Sequence, residues 1–404
     1  MAEDKKNYKE ILEYQDKYVM HTYSPEILLV KGKGSYVWDS ANKKYLDFST
    51  GISVCSLGHC HPAVTRAIKE QAGKLVHVSN LYMNEKQPQL AAKLAEKGFD
   101  GYAFFANSGA EANEGMIKLA RKWGSSKGKF EIIVMEESFH GRTLATLAAT
   151  GRSKYRVGFA PDMPGFVHVP FNDVSAIEKK ISDKTCAVLL EPVQGEGGII
   201  PSRQDYLEKV RELCDKHGIL LMFDEVQCGM GRTGTFFAWQ GYGVQPDALS
   251  MAKALGNGFP IGAFMVRREL GTVLGAGTHA STFGGTPLAC AAALAVVDAF
   301  DSENILDNCN KQSELLMSGL AKLAKKYKCV KEVRGRGLLI GVVLDRPAND
   351  LRKMASSKGL LVLTAGETVL RLLPPLNVSR KEVEEALQIL EESLKQLQES
   401  QNAK

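Results

Sequence analysis

The strongest constraint on this chain is a series of short, almost wholly apolar runs set between amphipathic stretches. "YAFFAN" (Tyr102 to Asn107), "EIIVMEE", "CAVLLEP" and "GILLMFDEV" are such runs. They are too short for ordinary helices and rich in β-forming residues. Apolar along nearly their whole length, they suit strands covered on both faces. "AEANEGMIKLARKWG" and "RQDYLEKVRELCDKHG" lie among them with helical periodicity, the second stopped by Gly218. Strand, helix, strand in this rhythm predicts an α/β fold with a mainly parallel sheet under helices.

The rhythm changes after about residue 300. A long helix from about Asn304 leads to "VKEVRGRGLLIGVVL", "GLLVLTAG" and "TVLRLLPPL", and then to an amphipathic helix, Arg380 to about Gln398. This pattern predicts a smaller α+β domain. "GSYVWDSANKKYLDFS" reads as a strand pair near the start. The expected division is a segment 1–50 packing with the small domain, a large domain 51–300, and a small domain 301–404. The net charge of +5 is small for 404 residues and not gathered into a basic block, so nucleic-acid binding gains no support. The N-terminus is charged and lacks an apolar signal core, and no stretch reaches the uncharged length of a membrane span. Eight cysteines without a C-x-x-C imply a reducing compartment, and a cytoplasmic protein is expected. "HCH" (His59 to His61) is followed by Pro62 and reads as a turn, with no metal site expected.

One lysine, Lys253, is the sole charged side chain between Asp247 and Arg267, in "DALSMAKALGNGFPIGAFMV". A lysine kept from water becomes an uncharged amine able to attack a carbonyl. Taken alone it could equally bury its stem and send its ammonium to solvent. Two other strand ends supply partners. "NSGAEAN" opens a helix at Gly109 and Ala110, whose unpaired N–H groups can hold a phosphate; by itself it reads as a capped helix. Asp224 ends the run "LLMFD", where a buried carboxylate needs a cation or several donors. Phosphate cup, carboxylate and amine together suit pyridoxal phosphate, whose pyridine nitrogen needs an acidic partner and whose aldehyde needs an amine.

"NSGAEAN", "SFHGR", "EPVQGEGG", "FDEVQCGMGRTG", "MAKALGNGFPIGA", "STFGG" and "LRLLPPL" together resemble the class III, fold-type I pyridoxal-phosphate aminotransferases, in order and spacing along almost the whole chain. "SNLYMNE" and "FHGRTLATLAATG" resemble the acetylornithine-type members in particular. The resemblance implies that Lys253 bonds the cofactor and later moves the substrate proton, and that Asp224 keeps the pyridine nitrogen protonated. It implies Ser108, Gly109 and Ala110 at the phosphate, Gln227 near the phenolic oxygen, and Phe139 and Val226 on the two ring faces. Ser281 and Thr282 would arrive from a second subunit, Thr282 on the phosphate, making a homodimer with shared sites. Arg142 and Arg371 would clamp substrate carboxylates, with Glu196 able to pair with Arg371. The reaction implied moves the side-chain amino group of N-acetylornithine to 2-oxoglutarate, giving N-acetylglutamate 5-semialdehyde and glutamate. Succinylornithine, N-succinyl-diaminopimelate, ornithine and 4-aminobutyrate are the alternative donors. Ala280, Thr286 and Cys55 depart from the common pattern, and Cys55 bears on the acyl-group preference.

Two readings from other classes compete. "GMGRTG" (Gly229 to Gly234) matches the G-x-G-x-x-G of a nicotinamide-dependent oxidoreductase. It lacks both a helix opening at the glycines and an acidic residue about twenty positions on. A binding module that kept the fold without the chemistry is the other, and the presence of both Lys253 and Asp224 argues against it.

Overall fold

The computed structural model describes residues 2–402. Its centre is a seven-stranded sheet formed by β1 (Gly101–Ala106), β2 (Glu131–Met135), β3 (Phe166–Val169), β4 (Thr185–Leu190), β5 (Leu220–Asp224), β6 (Ala248–Met251) and β7 (Gly262–Arg267). The order across the sheet is β1-β7-β6-β5-β4-β2-β3. Only β7 runs against its neighbours, β6 and β1. The other neighbouring pairs, β6-β5, β5-β4, β4-β2 and β2-β3, are parallel. Every residue of β4, β5 and β6 is buried, which is why these segments carry no polar alternation.

Two four-stranded sheets accompany this one, besides a two-stranded pair, Val193–Gln194 with Ile200–Pro201. Strands Leu29–Lys33, Tyr36–Asp39 and Lys44–Asp47 pair antiparallel, and Leu360–Leu361 adds to the last of them in parallel. Val330–Arg336, Leu339–Leu344, Val369–Leu372 and Leu363–Ala365 form an antiparallel sheet, with helices Ile305–Lys326, Asn349–Ser357 and Arg380–Asn402 in the same part of the chain.

The glycines of "GMGRTG" serve packing. A Cβ on Gly231 would stand 2.4 Å from the Phe300 ring, and one on Gly234 would stand 2.2 Å from the Asn310 side chain. Asn310 Nδ2 already donates to the Gly234 carbonyl at 3.0 Å. Arg232, between them, is fully buried and donates to the carbonyls of Leu338 (3.2 Å) and Pro374 (2.6 Å) and to Ser56 Oγ (2.8 Å). This guanidinium ties the large sheet's loop to the chain's beginning and end. A five-residue helix, Ala238–Tyr242, does follow, but it opens beyond Gly234 rather than at the glycines. The Glu225 carboxyl group caps it, accepting from Ala238 N at 2.6 Å and Trp239 N at 2.9 Å.

Candidate functional site

Parallel strands bring their carboxyl ends to one edge of a sheet, and loops leaving that edge form the crevice in which ligands bind. Here the crevice is a cavity of ≈ 380 Å³. Ser108, Gly109 and Ala110 line it from the end of β1, Phe139 and Arg142 from beyond β2, Asp224, Val226 and Gln227 from the end of β5, and Lys253 from the end of β6.

Asp224 is 3% exposed and receives four donors. Val226 N and Ser250 Oγ reach its Oδ1 at 3.0 and 3.3 Å. Asn113 Nδ2 and His140 Nδ1 reach its Oδ2 at 2.7 and 2.8 Å. A buried carboxylate with this many partners is fixed in direction. His140 and Asn113 are site residues that the sequence reading missed. His140 stands inside "SFHGR", where only Phe139 and Arg142 drew notice; its spacing carries no separate signal, because its partner is far away along the chain. Glu191 was missed too. It accepts from Phe139 N at 2.9 Å and Gly195 N at 3.3 Å, and burial, reinforced by the Asp224 charge, raises its pKa.

At the other end, the helix Gly109–Gly124 is capped by Ser108, whose hydroxyl accepts from Glu111 N at 3.2 Å. The N–H groups of Gly109 and Ala110 are first-turn donors that the helix cannot pair. A Cβ at Gly109 would come within 2.7 Å of Val226 Cγ1, so only glycine lets the helix end lie this close to β5's loop.

Lys253 begins a turn of 3₁₀ helix at φ +45°, in the left-handed region that costs a side-chain-bearing residue roughly 1–2 kcal/mol. Strain of this kind persists where the surroundings dictate the conformation, and it clusters at active sites. Burial lowers the Lys253 pKa; the Arg371 charge adds to the effect, while Glu196, Asp224 and Glu191 oppose it.

Arg371, 3% exposed, comes from the antiparallel sheet; neither it nor Glu196 lines the cavity, and Arg371 joins it through Gln227. Its Nη1 donates to Glu196 Oε1 at 2.5 Å and to Gln227 Oε1 at 3.0 Å. Burial would raise the Glu196 carboxyl, but the charge and hydrogen bond of Arg371, with Lys253 and Arg152, hold it below its ordinary value. Gly195 makes room for Gln227, since a Cβ there would stand 2.2 Å from its Oε1. Arg142 is exposed and lies over the Tyr155 ring, 3.9 Å from its centroid. Ser281 and Thr282 do not line the cavity. Ser281 Oγ accepts from Gly284 N at 2.9 Å, and Thr282 is exposed without a hydrogen bond among the described residues.

These features fit pyridoxal phosphate: a helix N-terminus for the phosphate, a tightly held carboxylate for the ring nitrogen, and an amine of lowered pKa on the cavity wall. Fold and cavity together define a pyridoxal-phosphate transferase of fold type I. The aminotransferase class-III family model matches residues 18–394, and the chain belongs to that family, whose enzymes use pyridoxal 5'-phosphate. The acetylornithine aminotransferase of Caldanaerobacter subterraneus subsp. tengcongensis is 50% identical over 96% of this chain and 100% of its own. The succinylornithine transaminase/acetylornithine aminotransferase of Pseudomonas aeruginosa is 46% identical over 95% of this chain and 96% of its own. The ornithine aminotransferase structure from Toxoplasma gondii superposes with a TM-score of 0.94 at 33% identity, over 98% of this chain and 95% of that one. Among the described residues there is no group of side chains suited to a metal ion, and no helix is long and apolar enough to cross a membrane.

Proposed function

We propose that this enzyme transfers the side-chain amino group of N2-acetyl-L-ornithine to 2-oxoglutarate, giving N-acetyl-L-glutamate 5-semialdehyde and L-glutamate, a step of arginine biosynthesis. The observation that supports a donor reacting at its side-chain amine is the Glu196–Arg371 pair beside Lys253, and the acetyl group rests on the acetylornithine aminotransferase relatives. An acyl-ornithine presents no carboxylate next to its reacting amine, whereas glutamate does. A buried arginine left idle in the first case needs a carboxylate partner, and Glu196 supplies one. When bound, pyridoxal phosphate supplies an electron sink for the carbon that loses its proton.

The chain's residues do the rest. Gly109 and Ala110, with Ser108, hold the phosphate through the helix end. Asp224, aimed by His140 and Asn113, pairs with the ring nitrogen. Phe139 and Val226 would confine the ring, and Gln227 would serve its phenolic oxygen. Lys253 would hold the cofactor through its amine, and that amine when free would take and return the proton at the substrate carbon. Arg142 serves as the distal carboxylate clamp for both substrates and Arg371 as the proximal clamp for glutamate and 2-oxoglutarate, each by bidentate pairing. Ser281 and Thr282 complete the site of a second subunit in a homodimer, which the exposure of Thr282 and the neighbouring Phe283, 61% exposed, supports. The domain division at 50/51 and 300/301 and a cytoplasmic location belong to the same proposal.

A second reading, succinylornithine as donor, is favoured by the double name of the Pseudomonas aeruginosa relative. Turnover of N-acetylornithine, N-succinylornithine, N-succinyl-diaminopimelate, ornithine and 4-aminobutyrate with 2-oxoglutarate tests both. The highest kcat/KM is expected with N-acetylornithine; a clear preference for unacylated ornithine or 4-aminobutyrate would overturn the proposal.

A further inference from the structure

Resting on that reading, the exchange at Arg371 raises a question of charge. When a dicarboxylate claims Arg371, the Glu196 carboxylate loses its partner in a partly buried place, where an unpaired charge is costly. A third guanidinium stands beside it. Arg152 has a side chain only 8% exposed, and its Nη1 donates to the Glu196 carbonyl at 2.9 Å. Its Nε lies 3.3 Å from Glu137 Oε2, but the Glu137 side chain is 60% exposed and that pair is screened by solvent. Arg152 Nη2 makes no hydrogen bond among the described residues. The Arg152 guanidinium also lies 5.3 Å from the Tyr155 ring centroid, next to the ring that carries Arg142. Arg152 is already hydrogen-bonded to Glu196's own backbone, and its charge helps hold the Glu196 carboxyl below its ordinary value.

We propose that Arg152 is a positioning residue that receives the Glu196 carboxylate whenever a dicarboxylate substrate takes over Arg371. It makes the switch between the two half-reactions reversible by giving Glu196 a charged partner in both states. It contacts no reacting atom. Its loss leaves Glu196 committed to Arg371 and so handicaps dicarboxylates selectively.

The test measures binding to the cofactor-loaded enzyme by calorimetry, with two unreactive probes. Glutarate needs Arg371 released; N-acetylnorvaline, which lacks a side-chain amine and has one carboxylate, does not. Arg152→Gln should weaken glutarate about tenfold and N-acetylnorvaline by less than about twofold, and Arg152→Lys should recover part of the loss. In a Glu196→Gln background, where there is no carboxylate to receive, Arg152→Gln should change glutarate affinity no further. A tenfold loss that persists in that background would mean Arg152 touches the ligand directly, and would overturn the proposal. So would unchanged glutarate binding in the single variant. If Arg152→Gln fails to fold, shown by loss of cofactor absorbance and a lowered melting temperature, the same cycle is run with Arg152→Lys, where a weaker coupling of the same sign is expected and none would overturn it. Failure of the loaded wild-type enzyme to turn over N-acetylornithine would sink the assigned donor, while the glutarate cycle would still report on Arg152.

Discussion

The floor of the cavity and its rim are built differently. At the floor, Asp224 takes four donors from its own chain, and its neighbours are buried to the last residue. At the rim, Arg142 is exposed and rests against one tyrosine ring, while Thr282, which does not line this cavity, is exposed and has no partner among the described residues. The floor is finished within one chain; the rim has polar groups still to be used. Fixed geometry suits the groups that act on the cofactor in every turnover, because a carboxylate or amine displaced by even an ångström loses most of its effect. Groups that must admit and release two different substrates are better held loosely or by exchangeable partners.

The largest effect should come from the floor. On the proposed roles, Lys253→Ala removes both the amine that would hold the cofactor and the base that would move the proton. Activity should fall by roughly 10²–10⁴-fold or more, and borohydride reduction should leave no pyridoxyl group on the protein. In the wild type, mass spectrometry after reduction and digestion should place that group on Lys253. Its appearance on another lysine would break the picture of the floor. Because burial lowers the Lys253 pKa, more of its amine is neutral at a given pH than for a free lysine. Capture of pyridoxal phosphate by apoenzyme, followed by absorbance, should therefore persist to lower pH than capture by a model amine.

Asp224→Asn should come next. The amide can keep some of the hydrogen bonds from Val226, Ser250, Asn113 and His140 but brings no charge to the ring nitrogen. Losing one member of a buried, hydrogen-bonded charge pair costs about 2–5 kcal/mol, so turnover should drop about 10²-fold or more with cofactor occupancy retained. Near-normal turnover at confirmed occupancy would make the four-donor arrangement merely structural.

How far each region could be read from sequence follows the same division. Gly109, Asp224 and Lys253 each end or follow an apolar run, and strand ends can be seen in a linear pattern. Their joint meaning was visible because a parallel sheet gathers such ends at one edge. His140 and Asn113 were not visible, because their partner Asp224 is distant in sequence and each lies within a motif that already had another reading. The glycines of "GMGRTG" were recognisable as unlike a nucleotide fingerprint, but nothing linear indicated that Arg232 would bind carbonyls from Leu338 and Pro374. Arg142, Arg371, Ser281 and Thr282 came from family resemblance alone; for Ser281 and Thr282 one chain's pattern holds no trace of a second subunit.

The rim is tested by mixing. If Thr282 serves the partner's phosphate site, its loss removes a hydrogen bond to a charged group, about 1.5–3 kcal/mol, and cofactor affinity should fall about ten- to a hundredfold. A heterodimer of Lys253→Ala with a disabling Thr282 variant would collect both lesions in one site and leave the other intact. Activity should return on subunit exchange; no recovery in proven heterodimers would place Thr282 elsewhere and close the rim within one chain.

The smallest effect concerns the support behind the floor. Asp224 and Glu225 are adjacent and both buried, yet only Asp224 faces the cavity. Burial pushes the Glu225 carboxyl up to about 8, with the Asp224 charge contributing, although the N–H groups of Trp239 and Ala238 oppose the shift. A folded-state pKa raised above the ordinary carboxyl value means the folded chain holds this proton more tightly than the unfolded chain. The associated stability is therefore complete below the ordinary carboxyl range and is lost as pH rises through about 8. Glu225→Gln cannot titrate. It also turns an amide N–H₂ toward one of the two backbone donors, so its melting temperature should be lower at acidic pH. The informative quantity is the slope: between pH 5 and pH 9 the wild type should lose stability faster than the variant. The difference in slope would appear as a shift of at least a few degrees in melting temperature across this range. Equal slopes would mean that Glu225 ionises as an ordinary carboxylate. The floor would then carry two adjacent charges, and the four donors on Asp224 would be holding it against a charged neighbour.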